Sequence, residues 1–182
     1  LLPVSTFIKP SCLNNQENGK LSGDLLVACG LGRSVMIQPA ARGMLAMLAA
    51  MHDAGFIMAS VGTYRTFDQQ VELFNKRYTR VKLPTRPTKV WNNKTYWQKP
   101  RTAMAATPGT SNHGWGCAVD FAEYRNGKVV SITPKAVAWL VENAATYGFS
   151  AEAQSEPWHW RWNAGDKMPQ AVRNHENQPT AL

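Results

Sequence analysis

The chain has 182 residues, 44% of them hydrophobic and 18% charged, a balance suited to one domain with a real hydrophobic core. No run approaches the roughly 20 apolar residues that span a bilayer, which excludes a transmembrane segment. The net charge of +8 implies an anionic partner, whether nucleic acid, an acidic membrane surface or a bacterial wall polymer, and charge by itself does not choose among them.

Residues 1–36 mix Gly, Asn and Ser with short apolar runs and are expected to be irregular structure packed on the core. A chain that starts at Leu1 rather than Met is expected to be a processed or trimmed product. Cys12 and Cys29 bracket a short polar segment and are placed to pair in an oxidising space, with reduced thiols equally open. Cys117 then reads as a small buried side chain.

From Pro39 to Ala54, Met44, Leu45, Met47, Leu48 and Met51 recur at helical spacing, with Pro39 at the start and Gly55 as a stop, so the spacing predicts a core helix. Phe56 to Tyr64 reads as a buried strand. Thr66 and Gln69 have the spacing of a capping box, and Phe67, Val71, Phe74 and Tyr78 follow at helical intervals, which predicts a helix running to Tyr78. Arg65 falls at the junction of that strand and helix. Residues 79–110 carry four prolines without a sustained period and read as a long basic and aromatic loop, either solvated or one wall of a substrate groove.

Gly116 to Glu123 alternates as a strand, and Asn126-Gly127 signals a hairpin into Lys128 to Ile132. Thr133 and Pro134 cap a further helix that stops at Gly148. Trp158 to Trp162 reads as a short aromatic strand. After Ala164 the chain turns polar and aperiodic. The domain reading is therefore a packed N-terminal segment over 1–36, a catalytic-type domain over 37–163 and a mobile tail over 164–182.

Two segments concentrate chemistry. Ser111 to Asp120 holds His113 and Asp120 with Gly114 and Gly116 between them, and Glu156 to Trp160 holds Glu156 and His159. Glycines let the backbone bend so that the side chains converge. Two imidazoles and one carboxylate make three N/O ligands, the number a catalytic zinc site uses when its fourth position is kept open. No CxxC spacing competes for metal, and His52 and His175 read as solvated.

The pattern Ser111-x-His113-x-x-Gly116-x-Ala118-x-Asp120 with Glu156-x-Trp158-His159 resembles the paired signature of the D-alanyl-D-alanine metallopeptidases, a family that includes vancomycin-resistance carboxypeptidases and dipeptidases and shares its fold with lysostaphin and the hedgehog signalling domain. Gly62-Thr-Tyr-Arg65 followed by Gln70 is similar to the family's strand-to-helix segment. The resemblance implies an α+β fold in which a small antiparallel sheet carries the metal site between helices. It also implies zinc held by His113, Asp120 and His159, Glu156 as general base, Arg65 facing the oxyanion, and Ser111 and Gln70 binding substrate. Trp115, Trp158 and Trp160 are either pocket lining or core.

The implied activity is hydrolysis of peptidoglycan stem peptides, foremost by D-alanyl-D-alanine carboxypeptidase action. An L-alanyl-D-glutamate endopeptidase of the phage-lysin type is the alternative on the same fold, and a zinc-containing, non-catalytic wall-binding domain is the alternative of another class. The expected partners are the stem peptide and an anionic wall polymer. Nucleic acid is not expected, a monomer is favoured, and the expected location is extracytoplasmic, or that of a phage lysin released at lysis.

Overall fold

The computed structural model describes residues 1–179. The N-terminal stretch makes two short 3₁₀ turns, at Ser11–Leu13 and Gly23–Leu25, and then a small hairpin of β1 (Leu26–Ala28) and β2 (Val35–Ile37). Leu13, Leu21, Leu31 and Met36 from this stretch are buried in the main core. Helix α1 follows over Gln38–Asp53, with proline in its first turn and Met44, Met47 and Met51 buried along one face. Leu45 points outward instead, at 44% exposure, because it is offset from the Met44–Met47–Met51 stripe. Gly55 and Phe56 return their amides to His52 and Met51 and end the helix.

Strand β3 (Met58–Gly62) leads through Arg65 to α2 (Phe67–Arg77). The expected capping box is present: the Thr66 hydroxyl accepts from the Gln69 amide at 3.2 Å, and Gln69 Oε1 accepts from the Thr66 amide at 2.9 Å.

Residues 79–110, expected to be a loop without regular structure, instead build a second sheet. It has the order β4-β6-β5, from β4 (Tyr78–Thr79), β5 (Thr88–Trp91) and β6 (Lys94–Gln98). Asn92 and Asn93 both sit at positive φ, 49° and 57°, which is the two-residue turn whose twist suits a hairpin. Its aromatic residues form a satellite core on α2, with Phe74 stacked on Tyr78 at 4.6 Å and flanked edge-on by Trp91 and Tyr96.

The central sheet completes the fold. Strands β7 (Ala118–Arg125) and β8 (Lys128–Ser131) turn at Asn126-Gly127. Helix α3 (Pro134–Asn143) is capped by Thr133, whose hydroxyl accepts from the Ala136 amide. Then come β9 (Phe149–Ala151), absent from the sequence reading, and β10 (His159–Trp162). The antiparallel order is β3-β7-β10-β9, with β8 also paired to β7. The architecture is the expected α+β one. Along β7 and β10, Val119, Phe121, Trp160 and Trp162 enter the core cluster, so the two-residue alternation turns Asp120, His159 and Arg161 to the opposite face.

The segment expected to be a mobile tail is ordered from 164 to 179. Helix α4 (Gln170–Glu176) buries Val172 completely. Glu176 accepts two parallel hydrogen bonds from Arg42 on α1, at 2.8 and 2.9 Å. Ala164 and Met168 packed against the core, the buried Val172 and one bidentate ion pair hold this polar segment down without any marked periodicity. Residues 180–182 lie outside the described residues. Cys12, Cys29 and Cys117 are all free thiols, so the Cys12–Cys29 pair is not formed. Burial raises the Cys117 thiol far above its ordinary range, consistent with an inert core side chain.

Candidate metal centre

Register places the site. Asp120 on β7 is directly opposite His159 on β10 and also faces Gly62 on β3 across an irregularity between Ser60 and Gly62. His113 comes from a 3₁₀ turn over Asn112–Trp115, whose start is capped by the Ser111 hydroxyl accepting from the His113 amide at 3.2 Å. Gly116 ends that turn at φ 65°, a left-handed conformation that side chains disfavour, and lets the chain drop at once into β7.

The side-chain ligand atoms of His113, Asp120 and His159 all lie within 4.8 Å of one another. His113 Nε2 is 3.2 Å from Asp120 Oδ2, and His159 Nδ1 is 2.8 Å from Asp120 Oδ1. Each imidazole has its other nitrogen engaged. His113 Nδ1 is 2.8 Å from the Thr63 carbonyl, which only accepts, so Nδ1 carries the proton and Nε2 is left to the cluster. His159 Nε2 is 2.5 Å from Glu152 Oε2, leaving Nδ1 on the cluster side. Oxygen acceptors behind both rings are the usual support for imidazole ligands of a metal. A Cβ built on Gly62 would stand 3.3 Å from Arg65 Nη2, 3.6 Å from Asp120 Oδ2 and 3.8 Å from His113 Cε1. Gly62 thus borders the cluster, and a side chain there would press on the Arg65 guanidinium. Two imidazoles and one carboxylate fit a zinc ion with a free fourth position.

The electrostatics follow from these contacts. Burial pushes the Asp120 carboxyl upward, but hydrogen bonds from His113 and His159 outweigh it and hold the group well below the usual carboxylate range. His159 is opposed by burial and favoured by Asp120 and Glu152, with a net rise to about 9. Glu152 falls to about 2, as hydrogen bonds from His159 and Asn112 overcome its desolvation.

Glu156, expected as the base, lines the same cleft of about 230 Å³ as Arg65, Gln70, Ser111 and Trp158. A tight turn, with the His159 amide donating to the Glu156 carbonyl at 3.0 Å, places it beside the cluster. Its carboxylate has no hydrogen-bond partner among the described residues, which leaves it free for a ligand. Arg65 is held from two sides: its amide donates to the His113 carbonyl, and Nη1 donates to Gln70 Oε1 at 2.9 Å. Burial lowers its pKa while the charge of Asp120 raises it, and an arginine stays protonated throughout.

Gln70 is buried and lines the cleft, but its amide is already engaged, since Nε2 donates to the Ala106 carbonyl at 2.8 Å. Of the three tryptophans, Trp158 lines the cleft, Trp160 is fully buried and Trp115 packs against the core. His52 is exposed and His175 half-buried, neither in the cluster. Sequence reasoning missed Glu152. Its carboxylate takes hydrogen bonds from His159 and Asn112 and lies 3.3 Å from Arg161 Nη1.

The family model of the VanY D-alanyl-D-alanine carboxypeptidases matches residues 33–166. The putative carboxypeptidase YodJ of Bacillus subtilis (strain 168) is 27% identical over 150 residues, covering 75% of this chain and 49% of that protein. The chain thus spans about half the length of this curated relative. Among solved structures, the LdcB LD-carboxypeptidase superposes with a TM-score of 0.57 at 23% identity, covering 87% of this chain and 75% of that one. A variant of the vancomycin-resistance D,D-pentapeptidase VanY, solved with Zn(II), gives 0.56 at 17% identity, covering 97% and 93%. The D,D-dipeptidase VanXYg, solved with a D-Ala-D-Ala phosphinate analogue, gives 0.57 at 18% identity, covering 94% and 66%. At such identities the structural likeness is one of fold. The family match extends over most of the chain and takes in every residue of the cluster and cleft, and on that ground the chain belongs to the VanY D-alanyl-D-alanine carboxypeptidase family.

Proposed function

We propose that this chain is a zinc peptidase that removes a terminal D-alanine from peptidoglycan stem peptides, working outside the cytoplasm where that substrate is found. The observation that carries the reading is the convergence of His113 Nε2, Asp120 and His159 Nδ1, each imidazole backed by an oxygen acceptor on its far side.

His113, Asp120 and His159 would hold the zinc, which when bound polarises a scissile carbonyl and makes a water acidic enough to attack near neutral pH. Glu156, which lines the cleft, would take up a proton from an attacking water and hand it to the departing amine. Arg65, fixed by Gln70 and by the His113 carbonyl, presents its positive charge where the carbonyl oxygen becomes an oxyanion. Gln70 acts mainly by positioning Arg65. Ser111 lines the cleft beside the cluster, within the set of groups available to a substrate carboxylate or amide. Arg77 also lines the cleft, with Nη1 donating to the Met104 carbonyl at 2.8 Å, and its remaining donors suit a free C-terminal carboxylate better than a continuing chain.

Digestion of purified peptidoglycan with mass analysis of the fragments tests the reading. Loss of a single alanine per stem is expected. Release of whole stems would assign the L-alanyl-D-glutamate bond instead, and an unchanged wall would leave a non-catalytic binding domain.

A further inference from the structure

The positive charge is not spread over the molecule. Between Leu73 and Val119 there is no aspartate or glutamate, and that stretch holds nine lysines and arginines. The rest of the chain has 11 cations against 12 acids, so the whole excess of +8 resides in the end of α2, the β4-β6-β5 sheet and the segment that follows it. Among the described residues, none of these nine cations makes a salt bridge.

The nine divide by what they touch. Arg86 donates to the Gln98 and Lys99 carbonyls, Lys99 to Asn75, Arg80 to Thr95, Arg77 to Met104 and Lys89 to Ala105 at 2.7 Å. These cations hold the small sheet together and fasten it to residues 103–106, which line the catalytic cleft. Lys76 on α2, and Lys82, Lys94 and Arg101 beyond it, are exposed, and their charged heads have no hydrogen-bond partner among the described residues. The three beyond α2 sit on a unit with no acid of its own, where free cations are costly through self-repulsion and match an anion with repeated charge. A stem peptide, with its few carboxylates, is already met inside the cleft by Arg77.

Nucleic acid fits this surface less well. Single strands are bound by aromatic rings on which bases stack, whereas Trp91 and Tyr96 are turned against Phe74 within the satellite core. We infer that the basic unit carrying Lys82, Lys94 and Arg101 docks a phosphodiester-linked anionic polymer of the cell wall and so holds the cleft beside its substrate. The identity of the polymer as a wall component rests on the proposed function; the charge surface does not.

The test uses the full chain and a variant combining Lys82→Gln, Lys94→Gln and Arg101→Gln, with an unchanged melting temperature as the folding check. Binding is read by co-sedimentation with cell walls bearing the phosphodiester polymer, with walls stripped of it by hydrofluoric acid, and against a DNA oligonucleotide. Wild-type binding to intact walls should fall roughly 20- to 40-fold between 50 and 200 mM salt, the drop for three phosphate contacts at ~0.7–0.9 released counterions each. The variant should bind intact walls at least 10-fold more weakly and hydrolyse a soluble stem peptide at the wild-type rate. Equal binding by variant and wild type, equal binding to stripped walls, or tighter binding to DNA than to intact walls would each overturn the inference. Polymer binding by a wild-type protein that leaves the soluble peptide uncut would instead count against the peptidase reading alone.

Discussion

Glu152 accepts a hydrogen bond from His159 Nε2 at 2.5 Å and, through its other oxygen, one from the side chain of Asn112 at 2.9 Å. Asn112 immediately precedes His113, so one carboxylate ties together the two segments that bring imidazoles to the cluster. Arg161, two residues beyond His159, adds its guanidinium at 3.3 Å and is itself held by the Ser5 carbonyl. Removing an oxygen acceptor behind a metal-binding imidazole typically costs 10–100-fold in metal affinity. Glu152→Ala is therefore expected to weaken zinc binding by about that factor in a chelator competition, and Glu152→Gln by less, since one amide oxygen still serves His159. Wild-type affinity in both variants would reduce Glu152 to a surface ion-pair partner.

The proposed function separates Glu156 from the metal by role. Glu156→Gln keeps the size of the side chain and all three ligands but cannot take up a proton, so zinc content should stay at one per chain while kcat falls by about 10²–10⁴. Metal analysis alongside steady-state kinetics distinguishes this from a ligand variant, in which zinc is lost as well.

Arg65→Ala should lower kcat by about 10²–10³ with the fold intact, the usual cost of losing one oxyanion donor. Gln70→Ala should move kcat in the same direction by a smaller factor if Gln70 acts, as proposed, by holding Arg65, whose Nη1 donates to Gln70 Oε1. A Gln70 variant with raised KM and unchanged kcat would show direct substrate binding instead.

The protonation pattern predicts a pH dependence for the metal-free protein. His159 has its pKa raised from 6.5 to about 9, so its stabilising contribution is complete below about pH 6.5 and is lost as pH rises through 9. Glu152 is shifted the other way, from 4.5 to about 2, as is Asp120; their contributions are complete above the ordinary carboxylate range and are lost as pH falls through the lowered values. Thermal melts of chelator-treated protein should therefore be highest between about pH 5 and 6.5 as far as this cluster governs stability. Zinc must displace the His159 Nδ1 proton, so its affinity should climb with pH until about 9, by close to tenfold per unit. An affinity independent of pH between 6 and 8 would contradict this protonation state.

How much of this was legible in the sequence depends on the kind of contact involved. His113, Asp120, Glu156 and His159 sit in two short segments dense with glycine and tryptophan, and their convergence was read from spacing and family resemblance. Glu152 was not, because six residues of irregular chain lie between it and His159 and no period marks it. The β5–β6 hairpin was hidden by Pro84, Pro87 and Pro100 around it and by a turn made of Asn92-Asn93, which lacks the glycine of the more recognisable Asn126-Gly127 turn. Helix α4 escaped because its seven residues bury only Val172, leaving no apolar stripe to detect. Local backbone signals and compact motifs survive in one dimension; contacts made by a single polar side chain across a loop do not.

The most direct measurement is hydrolysis of a soluble stem pentapeptide by protein stripped of metal and then titrated with zinc, followed by mass spectrometry. The account predicts no turnover in the stripped protein and full recovery at one zinc per chain, with a product lighter by one alanine; His113→Ala and His159→Ala should recover neither zinc nor activity. Undiminished hydrolysis without metal, or full zinc content in both histidine variants, would contradict it.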